Sequence, residues 1–214
     1  MAKRDRYDHI LWDWNGTLFD DIEENIKAIN ISLKKKNLSP LTKEKYLQLF
    51  SFPIENFYKK IGFEFEDNEY QILAHEFIEN YKKESMSAHL HNGVKELLDY
   101  FHKKRIGQSI LSASEKTILE EKLSHFDIKK YFEDILALDN VYAESKAHLG
   151  IEWRKTKGKG KKAFMIGDTA HDFDVAKDMG IDCILFSGGH NKKEDLLNTG
   201  AIVVDNLIDI KDIL

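Results

Sequence analysis

Six short apolar runs punctuate the chain, at residues 9–13 (HILWD), 108–112 (QSILS), 134–138 (DILAL), 163–167 (AFMIG), 183–187 (CILFS) and 201–204 (AIVV). Each is continuously apolar rather than alternating, which is the pattern of strands buried on both faces. Between most of them, apolar residues return at helical spacing: Val94, Leu97, Leu98 and Phe101, then Ile118, Leu119 and Leu123, then Phe173, Val175, Ala176 and Met179. Strand–helix alternation of this kind predicts an α/β fold, a doubly wound parallel sheet covered by helices on both faces. Its crossovers are expected to be right-handed.

Residues 21–87 break the alternation with helical patterns and no strand. Ile22, Ile26, Ile29 and Leu33 trace one helix, and Tyr46, Leu47, Leu49 and Phe50 a second. Ile54, Phe57, Tyr58 and Ile61 trace a third, ending near Gly62, and Tyr70, Leu73, Phe77, Ile78 and Tyr81 a fourth. The expected organisation is a core of residues 1–20 and 88–214 with an all-helical bundle, residues 21–87, inserted after the first strand. Pro40 and Pro53 both fall in this insertion and are expected at helix boundaries, where a missing N–H does least harm.

Composition narrows the classes. A chain of 214 residues has room for one sizeable core and a small accessory domain. A net charge of −5 gives no global attraction to nucleic acid or to an anionic membrane. The basic run at 154–162 (RKTKGKGKK) lacks both the preceding strand and the following Ser or Thr of a Walker loop, and is expected to be a solvated loop. No apolar run approaches the roughly 20 residues of a membrane helix, and the N-terminal residues lack the apolar segment of a signal peptide. Cys183 is the single cysteine, so no disulfide forms within the chain and a reducing, cytoplasmic compartment is expected.

Candidate chemistry sits where the apolar runs end. Asp13-Trp14-Asn15-Gly16-Thr17-Leu18 follows the first run, and Gly167-Asp168-Thr169-Ala170-His171-Asp172 the fourth. Ligands of open α/β sheets bind beyond the carboxyl ends of strands. Asp168 and Asp172 are four residues apart across a helix start and can face the same way. With Asp13 they would gather carboxylates that call for a hard cation with oxygen ligands, such as Mg²⁺. Ser112 ends the second run, where a hydroxyl can hold a phosphate oxygen, and Lys146 lies between the third and fourth runs. Plainer roles compete. Asp13 and Asn15 can shape a turn, Asp172 can favour a helix start, Ser112 or Ser114 can cap a helix, and Lys146 can be one more solvated lysine.

Taken together, the ordered set Asp-x-Asn-Gly-Thr-Leu, strand-end Ser, isolated Lys and Gly-Asp-Thr-x-x-Asp resembles the haloacid dehalogenase superfamily, in particular its phosphoglycolate-phosphatase-like branch with a helical cap. The resemblance covers essentially the whole chain. It implies a Mg²⁺-dependent phosphatase acting on a small phosphorylated metabolite, with Asp13 as the nucleophile that forms an aspartyl-phosphate. Asp13, the Asn15 carbonyl and Asp168 would hold the metal, while Asp172 orients a metal-bound water or Lys146. Ser112 and Lys146 would bind the phosphoryl oxygens, in a substrate site that also includes Asn15, Gly16, Thr17 and Ala113. Two departures stand out. Such phosphatases usually carry an acid/base Asp where this chain has Asn15, and many carry Asn where it has Ala113. An amide donates hydrogen bonds but delivers no proton at neutral pH. The alternative implied by that loss is a phosphate-binding or phospho-Asp regulatory protein with weak turnover.

Overall fold

The computed structural model describes residues 7–66, 68–143 and 145–213. Strand β1 spans His9–Trp12, and the two-residue β2 is Phe19–Asp20. Four helices follow: α1 (Ile22–Lys35), α2 (Lys43–Leu49), α3 (Ile54–Lys60) and α4 (Glu69–Glu84). The chain then returns through β3 (His89–Leu90) to α5 (Val94–Lys103), β4 (Gly107–Glu115), α6 (Lys116–His125) and β5 (Asp134–Leu138). It ends with α7 (Ala147–Lys155), β6 (Ala163–Gly167), α8 (Ala170–Met179), β7 (Asp182–Phe186), α9 (Lys193–Leu197), β8 (Ile202–Val204) and α10 (Ile210–Ile213).

Six strands form one parallel sheet in the order β5-β4-β1-β6-β7-β8. β1 lies at its centre, with Leu11 opposite Ser109 on one side and Met165 on the other. Side-chain alternation assigns its two faces. Ile10, Trp12, Ile110, Phe164 and Ile166 pack with Leu97, Leu98 and Phe101 of α5. Leu11, Leu111 and Met165 point the other way, onto Trp153 of α7 and Val175, Ala176 and Met179 of α8. Because both faces are covered, each strand reads as an unbroken apolar run.

The helices between β2 and β3 have a core of their own, built from Ile22, Ile29, Leu33, Tyr46, Phe57 and Tyr58 among others. At their base, β2 and β3 pair antiparallel, Phe19 opposite Leu90 and Asp20 opposite His89. Two-residue strands leave too short a pattern to read from sequence. Pro53 stands at the N-terminal boundary of α3, whereas Pro40 lies inside the loop between α1 and α2.

The basic run is more ordered than its composition suggests. Arg154 Nη1 donates to the carbonyls of Gly158 (2.6 Å) and Lys161 (2.7 Å), which folds the loop back on itself. A Cβ at Gly158 would overlap the Trp153 ring, so the loop is closely packed against α7. Among the described residues, no helix is long and apolar enough to cross a membrane.

Candidate active site

β1 delivers Asp13 to the carboxyl edge at the centre of the sheet, where the strand order reverses. β6, its neighbour, delivers Asp168. On the other side β4 loses its regular pairing after Leu111, and pairing resumes only at Glu115. Such irregularities re-aim side chains near sites. This one carries Ser112, Ala113 and Ser114 to the cavity wall. Lys146 immediately precedes α7 and points inward, almost fully buried.

One carboxylate oxygen from each of Asp13, Asp168 and Asp172 lies within 4.8 Å of the others. The Lys146 ammonium stands among them, bonded to Asp13 Oδ1 and 2.6 Å from Asp172 Oδ1. The remaining Asp172 oxygen accepts from the Asp168 and Thr169 N–H groups and from the Thr169 hydroxyl at 2.7 Å. Asp172 is therefore both a capping-box acid of α8 and the group that fixes Lys146. Asp168 accepts the Thr17 hydroxyl (2.9 Å) on one oxygen and the His190 N–H (2.6 Å) on the other. Gly16, with φ +76°, closes the turn beneath it, and any Cβ there would strike Asp168 and His190.

Burial pushes the Asp13 carboxyl well above its usual range, and Asp172 and Asp168 add to the effect against the pull of Lys146. Burial likewise raises Asp168 to about 6. For Lys146 burial acts in the opposite sense, but Asp13 and Asp172 outweigh it and hold the ammonium protonated. Three buried carboxylates facing one ammonium leave an excess of negative charge. Each Asp168 oxygen accepts one protein donor and keeps a further lone pair free. The donor set, all oxygen and anionic, fits a hard divalent cation.

Of the sequence-predicted residues, Asp13, Asn15, Ser112, Ala113, Lys146, Asp168 and Asp172 all line one cavity between the sheet edge and the helical insertion. Gly16 and Thr17 do not line it; they brace Asp168 from behind. The capping role weighed for Ser112 and Ser114 belongs to Glu115, whose carboxylate accepts from Thr117 and Ile118 N–H. Ser114 instead donates to Asn15 Oδ1 at 2.5 Å.

Two buried residues beside Asn15 escaped the sequence reading. Asp21 accepts from Asn15 Nδ2 (2.6 Å) and from the Tyr81 hydroxyl (2.5 Å), and also from the Gly16 N–H. Despite burial its carboxyl stays below the usual range, because His190, Tyr81 and Asn15 all stabilise the anion. His190 approaches Asp21 to 3.4 Å through Nε2 and meets the Tyr46 hydroxyl at 2.8 Å through Nδ1. Burial would lower its pKa, but Asp21 raises it to about 9. Asp21 was hidden because an acid just before a helix reads as a cap, whereas here its side chain makes no cap bond. Gly188-Gly189-His190 closely follows the end of β7, a strand-end signal of the same kind as those at β1 and β6.

Comparisons with known proteins agree with this geometry. Residues 10–186 match the family described as haloacid dehalogenase-like hydrolase. A phosphoglycolate phosphatase of Nitrosococcus oceani is 27% identical over 217 residues, covering 96% of this chain and 95% of that protein. One from Pseudomonas fluorescens is 22% identical over 209 residues, covering 92% of this chain and 76% of that protein. The fold superposes with a TM-score of 0.83 on a haloacid dehalogenase-like hydrolase from Streptococcus pneumoniae, at 18% identity, with 97% of this chain and 98% of that one covered. The matched span takes in the whole sheet edge that gathers Asp13, Ser112, Lys146 and Asp168, and the chain belongs to the haloacid dehalogenase-like hydrolase family.

Proposed function

We propose that the chain hydrolyses phosphate monoesters of a small metabolite, with Asp13 as the nucleophile. The chain is a hydrolase of the phosphatase type. The observation that carries the mechanism is the buried cluster itself, with Asp13 bonded to Lys146 and flanked by more carboxylate than that ammonium neutralises. An Asp13 carboxylate oxygen attacks phosphorus, the ester P–O bond breaks, and the chain carries an aspartyl-phosphate. Water then attacks phosphorus, releasing inorganic phosphate and restoring Asp13. Lys146 and Ser112 bind the phosphoryl oxygens and stabilise charge on them as the transferring group flattens. Asp172 holds Lys146 in place. Asp13, Asp168 and the Asn15 carbonyl, with Asp172 acting through a water, would hold Mg²⁺. The ion would offset the repulsion between a carboxylate and a phosphate that must meet.

The helical insertion, residues 21–87, serves as a cap whose contacts with the core include Asn15–Tyr81, Tyr46–His190 and Tyr70–Tyr142. The β2–β3 pair at its base is where the chain would hinge. The single cysteine, free and part-buried, suits a reducing cytoplasmic setting.

A second reading has one observation in its favour. The Asn15 amide is already engaged with Asp21, Tyr81 and Ser114. A site with no proton to give suits a phospho-Asp regulator with weak turnover. Turnover of phosphate esters by purified protein with Mg²⁺, abolished by EDTA and by Asp168→Ala, supports the enzyme. Full activity in the chelated protein contradicts the metal assignment, and tight binding without turnover favours the regulator.

A further inference from the structure

The cavity has two unlike ends. Beside Asp13 it is ionic, but the wall formed by the cap is dominated by Phe50, Phe52, Phe57, Tyr58, Phe77 and Ile78. Among the described lining residues the only cationic side chains are Lys146 and His190. Both are committed: Lys146 lies between Asp13 and Asp172, and His190 lies between Asp21 and Tyr46. Two polar groups on the cap side are engaged elsewhere. Asn25 donates to Asp21, and the Tyr70 hydroxyl donates to the Tyr142 carbonyl at 2.6 Å. A second anionic group on the substrate, such as the carboxylate of glycolate, would be buried here without a partner, which is costly.

The leaving oxygen faces a related constraint. The Asn15 amide nitrogen is turned toward Asp21 at 2.6 Å and the Tyr81 hydroxyl at 2.9 Å, and an amide has no acid proton to deliver. Asn15 therefore does not protonate a departing oxygen. A group that leaves well as an anion is favoured. A phenol, with a pKa of about 10, does so far better than an alkyl alcohol. The cavity measures about 140 Å³. At roughly 10–15 Å³ for each water-sized position, that is the scale of a single ring carrying a phosphate.

Building on the phosphomonoesterase reading, we infer that the substrate is a phosphate ester of a compact, uncharged aromatic alcohol, an aryl phosphate, rather than a carboxylate-bearing ester such as phosphoglycolate. The ring lies against the aromatic wall of the cap, and its phosphate reaches the floor. As the Asp13 O–P bond forms, the P–O bond to the ring breaks. The electron pair departs on the phenolate oxygen, which takes its proton from water after leaving the site.

The test separates binding from leaving-group reactivity. Full-length protein with Mg²⁺ is titrated calorimetrically with two non-hydrolysable phosphonate analogues, benzylphosphonate and 3-phosphonopropionate. Benzylphosphonate is expected to bind at least 10-fold more tightly. Ile78→Arg, which adds a cation at a half-buried position of the cap wall, is expected to shift that ratio at least 10-fold toward 3-phosphonopropionate. In parallel, phenyl phosphate should turn over at least 100-fold faster than propyl phosphate. Equal or tighter binding of 3-phosphonopropionate by the parent protein, or no binding of benzylphosphonate, overturns the aryl assignment. The phosphomonoesterase reading fails by a different result, the absence of hydrolysis of every ester tried, alkyl and aryl, in the presence of Mg²⁺.

Discussion

The floor of the cavity crowds Asp13, Asp168 and Asp172 around Lys146, whereas its roof sets Phe50, Phe77 and Tyr58 over the same space. The floor hangs from central strands of a parallel sheet that packs against buried side chains on both faces, so its backbone positions are fixed by deep packing. The roof belongs to helices with a separate hydrophobic core, joined to the sheet by the short β2–β3 pair. Chemistry shared across a family can remain on a rigid sheet edge while selectivity changes with the helices above it. Asn15 sits at the seam, on the floor by sequence but bonded to Tyr81 of the roof.

The largest contrast should come from the floor. Asp13→Asn is expected to lower turnover of an aryl phosphate by about 10⁴-fold or more, the scale seen when a nucleophile is removed. The fold should survive, and the metal-free melting temperature should not fall, because one of three crowded carboxylates has gone. Steady-state rates and a thermal melt check both halves.

Lys146→Met should act on stability as strongly as on rate. It leaves Asp13 and Asp172 buried without their cation, and breaking a buried pair in this way costs about 3–5 kcal/mol. Urea denaturation of the metal-free protein reads the loss. No comparable loss is expected from Ile78→Arg in the roof, where the side chain is only half-buried.

Mg²⁺ should stabilise the parent protein by about 2.7 kcal/mol at a hundred times its dissociation constant. The pH dependence has a defined sign. The Asp168 carboxyl is raised to about 6 in the folded chain, above its unfolded value of 3.8. The folded state therefore holds this proton more tightly, and the metal-free protein regains stability as the pH falls from about 6 toward 3.8. Protons and Mg²⁺ compete for the same oxygens. The Mg²⁺-induced rise in melting temperature should be full above pH 7 and shrink as the pH falls through 6. A rise that is independent of pH would place the ion elsewhere.

At the seam, exchanging Asn15→Asp with Asp21→Asn keeps one carboxylate and one amide in the Asn15–Asp21 hydrogen bond. Asn15→Asp alone would set two carboxylates 2.6 Å apart. The double variant places a proton donor beside the departing oxygen. Alkyl phosphate turnover should rise about 10²-fold, the lower end of positioned proton transfer, while aryl phosphate turnover changes little. Equal acceleration of both would show that hydrolysis of the aspartyl-phosphate limits the rate, which a pre-steady-state burst in the parent protein would reveal.

The floor was legible in the sequence because its information is local. A continuous apolar run followed by Asp or Ser announces a strand end, and five of the six expected strands start and stop within one or two residues of the observed ones. The run at 108–112 fell short because β4 continues past its irregularity to Glu115, through polar residues that carry no strand signal. The roof's four helices were legible from their spacing, but not where their side chains point. Asp21 and His190 are 169 positions apart in the chain, and only the fold brings them within 3.4 Å of each other. Ser114 looked like a helix cap until the fold turned it toward Asn15.

The central claim, an aspartyl-phosphate on Asp13, is tested most directly by trapping it. Protein turning over phenyl phosphate with Mg²⁺ is quenched in acid, reduced with borohydride and digested for mass spectrometry. Reduction converts an acyl-phosphorylated aspartate to homoserine, and the conversion should appear at position 13 and vanish when EDTA is added before the substrate. Homoserine at another aspartate, or none at all in protein that was hydrolysing the ester, would contradict the assignment of Asp13 as the nucleophile.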